Sequence, residues 1–139
     1  MPFTGASDLL TQLRTQIAAC ASWTPGSAGV HYPGVDYASA TFPCAIIAED
    51  SRTSATYAAG ANGLRGGTLS IRVYTDSASS IGATEVLGQA ILEELLAQPA
   101  GIPFRSGSVG LAGESSDAID AAGTPLNGIE ITLEYGLDF

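Results

Sequence analysis

The chain contains no lysine. Its only fixed cations are five arginines, Arg14, Arg52, Arg65, Arg72 and Arg105, against 14 carboxylates, for a formal net charge of −9. A Walker-type phosphate loop is therefore excluded, because its lysine reaches the terminal phosphates. The dense cationic surface that supplies most nucleic-acid affinity is missing as well. The same charge favours solubility and repels anionic membranes. Histidine is reduced to His31, in the turn-rich stretch "GVHYPG". A Ser-His-Asp hydrolase would have to use it, yet the serine context "SGSVG" at Ser106 to Gly110 lacks the first glycine of a nucleophile elbow. His31 thus reads as a turn residue, and no catalytic residue is expected. No C-x-x-C, H-x-x-x-H or EF-hand pattern occurs, so no metal or other cofactor is expected either. Glu114, Asp117 and Asp120 in "ESSDAID" could chelate calcium weakly, but a solvated acidic loop is the plainer reading. Glu93 and Glu94 are consecutive, so they diverge on a helix and cannot share a proton.

Cysteine is sparse too. Cys20 and Cys44 read as small buried hydrophobes, and a bridge between them is a geometric question the sequence leaves open. No apolar run reaches the roughly 18 to 20 residues that span a bilayer. The opening "MPFTGASDLL" has neither the basic region nor the apolar run of a secretory signal, so synthesis and folding in the cytoplasm are expected.

What is present is a pattern for one folded domain over residues 1–139, 45% of them hydrophobic. Ser7 is placed as an N-cap with Asp8 in the first turn. Leu9, Leu10, Leu13, Ile17, Cys20 and Ala21 then share one helical face, and the helix should end near Ser22, ahead of Pro25 and Gly26. A short extended piece fits Val30 to Tyr32. "FPCAIIAED" from Phe42 reads as a strand, with Pro43 at its start where no ladder bond is lost. "TLSIRVYTD" from Thr68 alternates, with Leu69, Ile71 and Val73 against Ser70, Arg72 and Tyr74. A second helix fits Ser79 to Ala97, with Ile81, Leu87, Ile91, Leu92 and Leu95 as its stripe. A weaker strand follows within Phe104 to Ala112, then a loop from Gly113 to Thr124. The last strand alternates Ile129, Ile131, Leu133, Tyr135 and Leu137 with polar residues. The expected architecture is α+β: a four- to five-stranded, mostly antiparallel sheet with both amphipathic helices on one face. Its core should hold Leu13, Ile17, Ile71, Val73, Leu87, Ile91, Leu95, Ile131 and Leu133. The other face, with Arg72, Tyr74, Glu130 and Glu134, should be polar and meet water or a partner.

The stretch "GANGLRGG", Gly60 to Gly67, invites a phosphate-loop reading. It fails, because a strand and not a helix follows. Asn62-Gly63 is the preferred dipeptide of a type I′ hairpin turn, and Gly66-Gly67 permits a bulge in the returning arm. A hairpin from Phe42 to Asp76 would be longer than a small globule needs and would project past the sheet. Arg52, Arg65 and Arg72 make this segment basic on an acidic chain. Arg52, Tyr57, Asn62, Gly63, Leu64, Arg65 and Arg72 are therefore the candidate interface residues, docking on a neighbouring copy or another partner.

The order and spacing of these pieces resemble the tail terminator (tail-completion) proteins of long-tailed phages, of the lambda type. The pieces are "LLTQLRTQI" in the first helix, a turn with "YPG", "FPCAIIAED" opening on Phe-Pro, a return as "GTLSIRVY", a second helix and the closing strand "IEITLEYGL". The glycine-rich tip and the small-residue loop at Gly113 to Gly123 depart from relatives with more polar loops. The resemblance implies a homohexameric ring at the head-proximal end of the virion tail. That ring would cap the tail tube, stop its polymerisation and meet a head-completion or neck protein. DNA would pass through an electronegative pore without specific binding, and no membrane would be involved. The alternatives are a related tail-tube or neck/connector protein of a phage or phage-like particle and, from another class, a small soluble enzyme.

Overall fold

The first helix owes its existence to the stripe Leu9, Leu13 and Ile17, each fully buried. The computed structural model describes residues 6–32, 42–56, 62–75, 81–98, 101–102, 104–111 and 127–136. Helix α1 runs Ala6–Ala18, so Ser7 lies within it instead of capping it; such one-residue differences are usual at helix ends. The helix stops before Ser22 for a specific reason. The Glu94 carboxylate, from the second helix, accepts the N–H of Ala21 at 2.9 Å, the N–H of Ser22 at 3.3 Å and the Ser22 hydroxyl. Tighter turns carry the chain through Cys20 and Trp23, whose N–H groups reach the carbonyls of Ile17 and Cys20 at 3.0 and 3.1 Å.

Five strands follow from the alternating segments: β1 (Val30–His31), β2 (Cys44–Thr56), β3 (Asn62–Thr75), β4 (Phe104–Leu111) and β5 (Asn127–Gly136), with helix α2 (Ile81–Ala97) between β3 and β4. They form one sheet in the order β1-β2-β3-β5-β4. Among the described residues only the β1–β2 pair is parallel. Ile71 at the centre faces Ile47 on β2 and Ile131 on β5. These residues, with Leu69, Val73, Ile129 and Leu133, make one buried sheet face. Both helices lie on it, joining it in one apolar cluster. The expected core is buried throughout except for Leu87, which packs at its margin. Two glycines let α2 approach closely: a Cβ on Gly88 would stand 2.5 Å from Ile129 Cδ1, and one on Gly107 would collide with Leu92.

Two expectations need correction. The second face is not uniformly polar. Cys44, Ile46, Ser70 and Tyr74 lie on it by register, yet their exposures are 0%, 7%, 4% and 2%. Alternation assigns a side chain to a face, not to a depth, and a tyrosine ring is as buriable as a phenylalanine. The second correction concerns Asn62-Gly63. A two-residue turn there would set Ala61 against Leu64, but Leu64 pairs with Ser54, and Asn62 and Gly63 pair with Thr56 and Ala55. Both belong to β3, and residues 57–61, which join it to β2, lie outside the described residues. The ladder register has overridden a local dipeptide preference.

Candidate interaction surface

β2 and β3 remain paired as far as Thr56↔Asn62, whereas the pairing of β5 with β3 is described as far as Gly66↔Gly136, with residues 137–139 outside the described residues. The stretch beyond Gly66 is therefore a two-stranded ribbon among the described residues. A two-stranded hairpin is marginal in water without a packing partner. The ribbon is also irregular. Thr53 pairs with Gly66 and Ser54 with Leu64, leaving Arg65 as an extra residue beside the glycine pair that was expected to allow a bulge. A second irregularity leaves Asp50 extra in β2. Gly66 fits a tight place, since a Cβ there would sit 2.8 Å from the Tyr135 carbonyl oxygen.

The fold thus gathers Arg52, Asn62, Gly63, Leu64 and Arg65 at one end of the β2–β3 pair. Tyr57 lies outside the described residues. Arg72 does not belong with them. It sits within the sheet between Ile46 and Glu130, and its Nε donates to the Glu130 carboxylate at 3.0 Å. That bond, before any other influence, pushes the guanidinium pKa further up. Arg72 is a cross-strand ion-pair partner on a wet patch of the second face, so the basic character of the arm rests on Arg52 and Arg65.

A second surface was not legible in the sequence. β4 is an outer strand, paired only with β5 among the described residues. Its Arg105, Ser106, Ser108, Gly110 and Leu111 are exposed. Between β4 and the outer side of α2 runs an open groove of about 450 Å³. Val86 and Leu111 line it and are 72% and 70% exposed. The available signal was weak: two apolar residues outside any periodic stripe, one in a strand rich in glycine and serine. The "SGSVG" stretch lies inside this strand, not in a strand-to-helix turn.

At the other edge, β1 pairs only with Ala45 and Ile46 of β2, so from Ile47 on β2 has no outer strand among the described residues. β1 has two residues, and Arg14 of α1 reaches across to it. Arg14 Nε donates to the carbonyls of Ser27 and Val30, both at 3.1 Å, and Nη2 donates to Ser27 at 2.8 Å. His31, in β1, is partly buried. Both cysteines are free and buried. Desolvation pushes the thiol of Cys20 up to about 11, with Glu94 adding to it, and desolvation alone pushes Cys44 up to about 11. These are poor nucleophiles. Among the described residues no His, Cys, Asp and Glu side chains gather as a metal site, and no helix is long and apolar enough to cross a membrane. Glu114, Asp117 and Asp120 lie outside the described residues. Comparison with protein-family models and with curated proteins gives no match.

Proposed function

We propose that this chain is a virion structural protein that closes into a ring on the end of a phage tail tube, stops the tube's growth and forms the joint to the head or neck. The observation that carries the reading is the β2–β3 pair running on past Gly136, the last described residue of β5. A ribbon of this kind stabilises little within its own subunit and is suited to reaching a neighbour. Three features support the same reading: the α+β layer with both helices on one face, the charge of −9, and the order of elements that resembles the tail terminators. The partners are further copies of the chain, six by that resemblance, with the tail-tube protein below and a head-completion or neck protein above. DNA passes through the pore unbound. The protein is made in the host cytoplasm and ends in the virion tail. No chemistry is assigned to it.

Mass measurement of the purified chain, alone and mixed with assembled tail tube, tests the proposal. A closed ring that binds tube ends and halts elongation is expected. Unlimited filaments of the chain alone would identify a tube protein instead. A chain that leaves tube length unchanged would refute the capping role.

A further inference from the structure

We infer that the open β4 edge, with the groove it shares with α2, receives the β2–β3 ribbon of a second copy of this chain. The inference rests on the ring reading for the identity of the partner and deepens it by naming both halves of the contact.

The acceptor half is β4, because the outer side of β2 past Ile46, likewise without a strand partner among the described residues, belongs to the ribbon that is donated. β1 offers two residues, and Arg14 already occupies the Val30 and Ser27 carbonyls beside it. β4 offers eight residues, most of them exposed. Roughly half of these turn their N–H and C=O away from β5, a template for another strand. Only the bulged Arg105, the one charged residue of β4, blunts it, and that side chain is drawn toward β5, since any Cβ on Gly136 would collide with its guanidinium. The groove runs along the same strand. An added strand would take main-chain bonds from β4 and bury Val86 and Leu111, the two most exposed large hydrophobics described.

Charge selects the occupant. Most of a second copy is acidic and would be repelled, because the chain carries 14 carboxylates against five arginines. Glu85 lines the groove. Of the arginines, Arg14 and Arg72 are engaged inside their own subunit. Arg65 stands in the ribbon and Arg52 at its foot, opposite Gly67, with no carboxylate between them in sequence, so this stretch of a second copy is opposite in charge to Glu85. Geometry agrees. β3 and β4 are both antiparallel to β5, so they run the same way. The ribbon lies at the start of β3, while Leu111 and the groove lie level with Ile129 and Val73, near its end. The two patches sit at opposite ends of the sheet and do not overlap. Each copy can give one and receive one, which is a heterologous contact that closes into a ring when the rotation fits.

The test is sedimentation velocity on the full chain, with thermal melting as the folding control. Val86→Asp combined with Leu111→Asp should turn assembled protein into monomer without lowering the melting temperature, since both side chains are mostly exposed. Glu85→Arg should weaken assembly roughly tenfold at low salt, and adding Arg65→Glu should restore it. Mixing a Ser54→Cys variant with a Leu111→Cys variant under oxidation should give a cross-linked heterodimer, because Cys20 and Cys44 are buried. A monomeric wild type, assembly that survives the double aspartate change, or assembly without the mixed cross-link would overturn the inference. Rings made through these contacts that do not limit tube length would uphold it and refute the capping role alone.

Discussion

Replacing Gly88 with alanine sets two effects of known size against each other. Gly88 is buried in the middle of α2, and alanine is favoured over glycine inside a helix by about 1 kcal/mol. Against this, the new methyl would lie 2.5 Å from Cδ1 of Ile129, 3.1 Å from its Cγ1 and 3.5 Å from Cγ1 of Val109. Ile129 is fully buried, so its side chain has little room to withdraw. Overpacking of this kind costs roughly 1 to 3 kcal/mol. Gly88→Ala should therefore destabilise by about 1 kcal/mol net, although propensity alone gives the opposite sign. Ile129→Val removes the Cδ1 that clashes and costs roughly 0.5 to 1.5 kcal/mol alone. In that background Gly88→Ala should become neutral or stabilising, a favourable coupling of about 1 to 2 kcal/mol in the double-mutant cycle. Urea unfolding followed by Trp23 fluorescence gives all four stabilities, since Trp23 is the only tryptophan and is buried in the same core. A stabilising Gly88→Ala in the wild type, or the same effect in both backgrounds, would mean that α2 does not rest on Ile129.

Ile131→Ala, at the centre of the buried face, should cost roughly 2 to 5 kcal/mol in the same assay, and unchanged melting would mean that the sheet faces the other way. The Glu94 carboxylate is held below its ordinary pKa, first by the Ser22 hydroxyl and also by the N–H groups of Ser22 and Ala21. Its stabilising contribution is therefore complete above the unfolded value of about 4.3 and is lost as pH falls through the depressed folded value. Glu94→Gln should flatten that part of the acid-unfolding curve, and an identical curve would rule out the clip. With thiols pushed up to about 11 by burial, Cys20 and Cys44 should resist a thiol reagent at neutral pH until the protein unfolds; rapid labelling of the native chain would contradict this. Duplex DNA should bind weakly at about 0.15 M salt, and a filter-binding assay showing tight binding would contradict the unbound passage of DNA.

Period carried most of what the sequence disclosed. The stripe of Leu9, Leu13 and Ile17 and the alternation of Ile129, Ile131 and Leu133 each report a single buried face, and both were legible. The bulge beside Gly66 was legible because glycines there permit it. What escaped was set by contacts distant in sequence. Glu94 ends α1 from 72 residues away at Ser22. Gln16, outside the apolar stripe of α1, is buried at 4%. Its Oε1 accepts the Ile102 N–H at 2.9 Å, and its Nε2 donates to Gln98 at 3.1 Å. No local pattern announces such partners. Of the candidate interface, the ribbon residues came together because they are neighbours in sequence. Arg72 was misplaced because it shares their segment but pairs across to β5. The β4 groove escaped because an open edge is a property of strand order.

That strand order also explains why an interaction surface should lie on the β4 side. At the foot of β2 and β3 the sheet is buried on both faces: Ala45, Ile47 and Val73 lie under the helices, and Cys44, Ile46 and Tyr74 on the opposite face are covered as well. Moving across the sheet, that second face opens. Glu130 and Thr132 are partly exposed, Glu134 is exposed, and on β4 Ser106, Ser108 and Gly110 are exposed. Exposure on this face thus increases toward β4, whose outer side pairs with no other strand among the described residues. A soluble sheet normally blunts such an edge with charge, proline or a short strand. Here the blunting is confined to the bulged Arg105 at one end, while the far end carries exposed Leu111 beside Val86. An eight-residue edge left in this state is a hazard to a monomer and an asset to an assembly, because a second copy that fills it removes the hazard and gains the bonds.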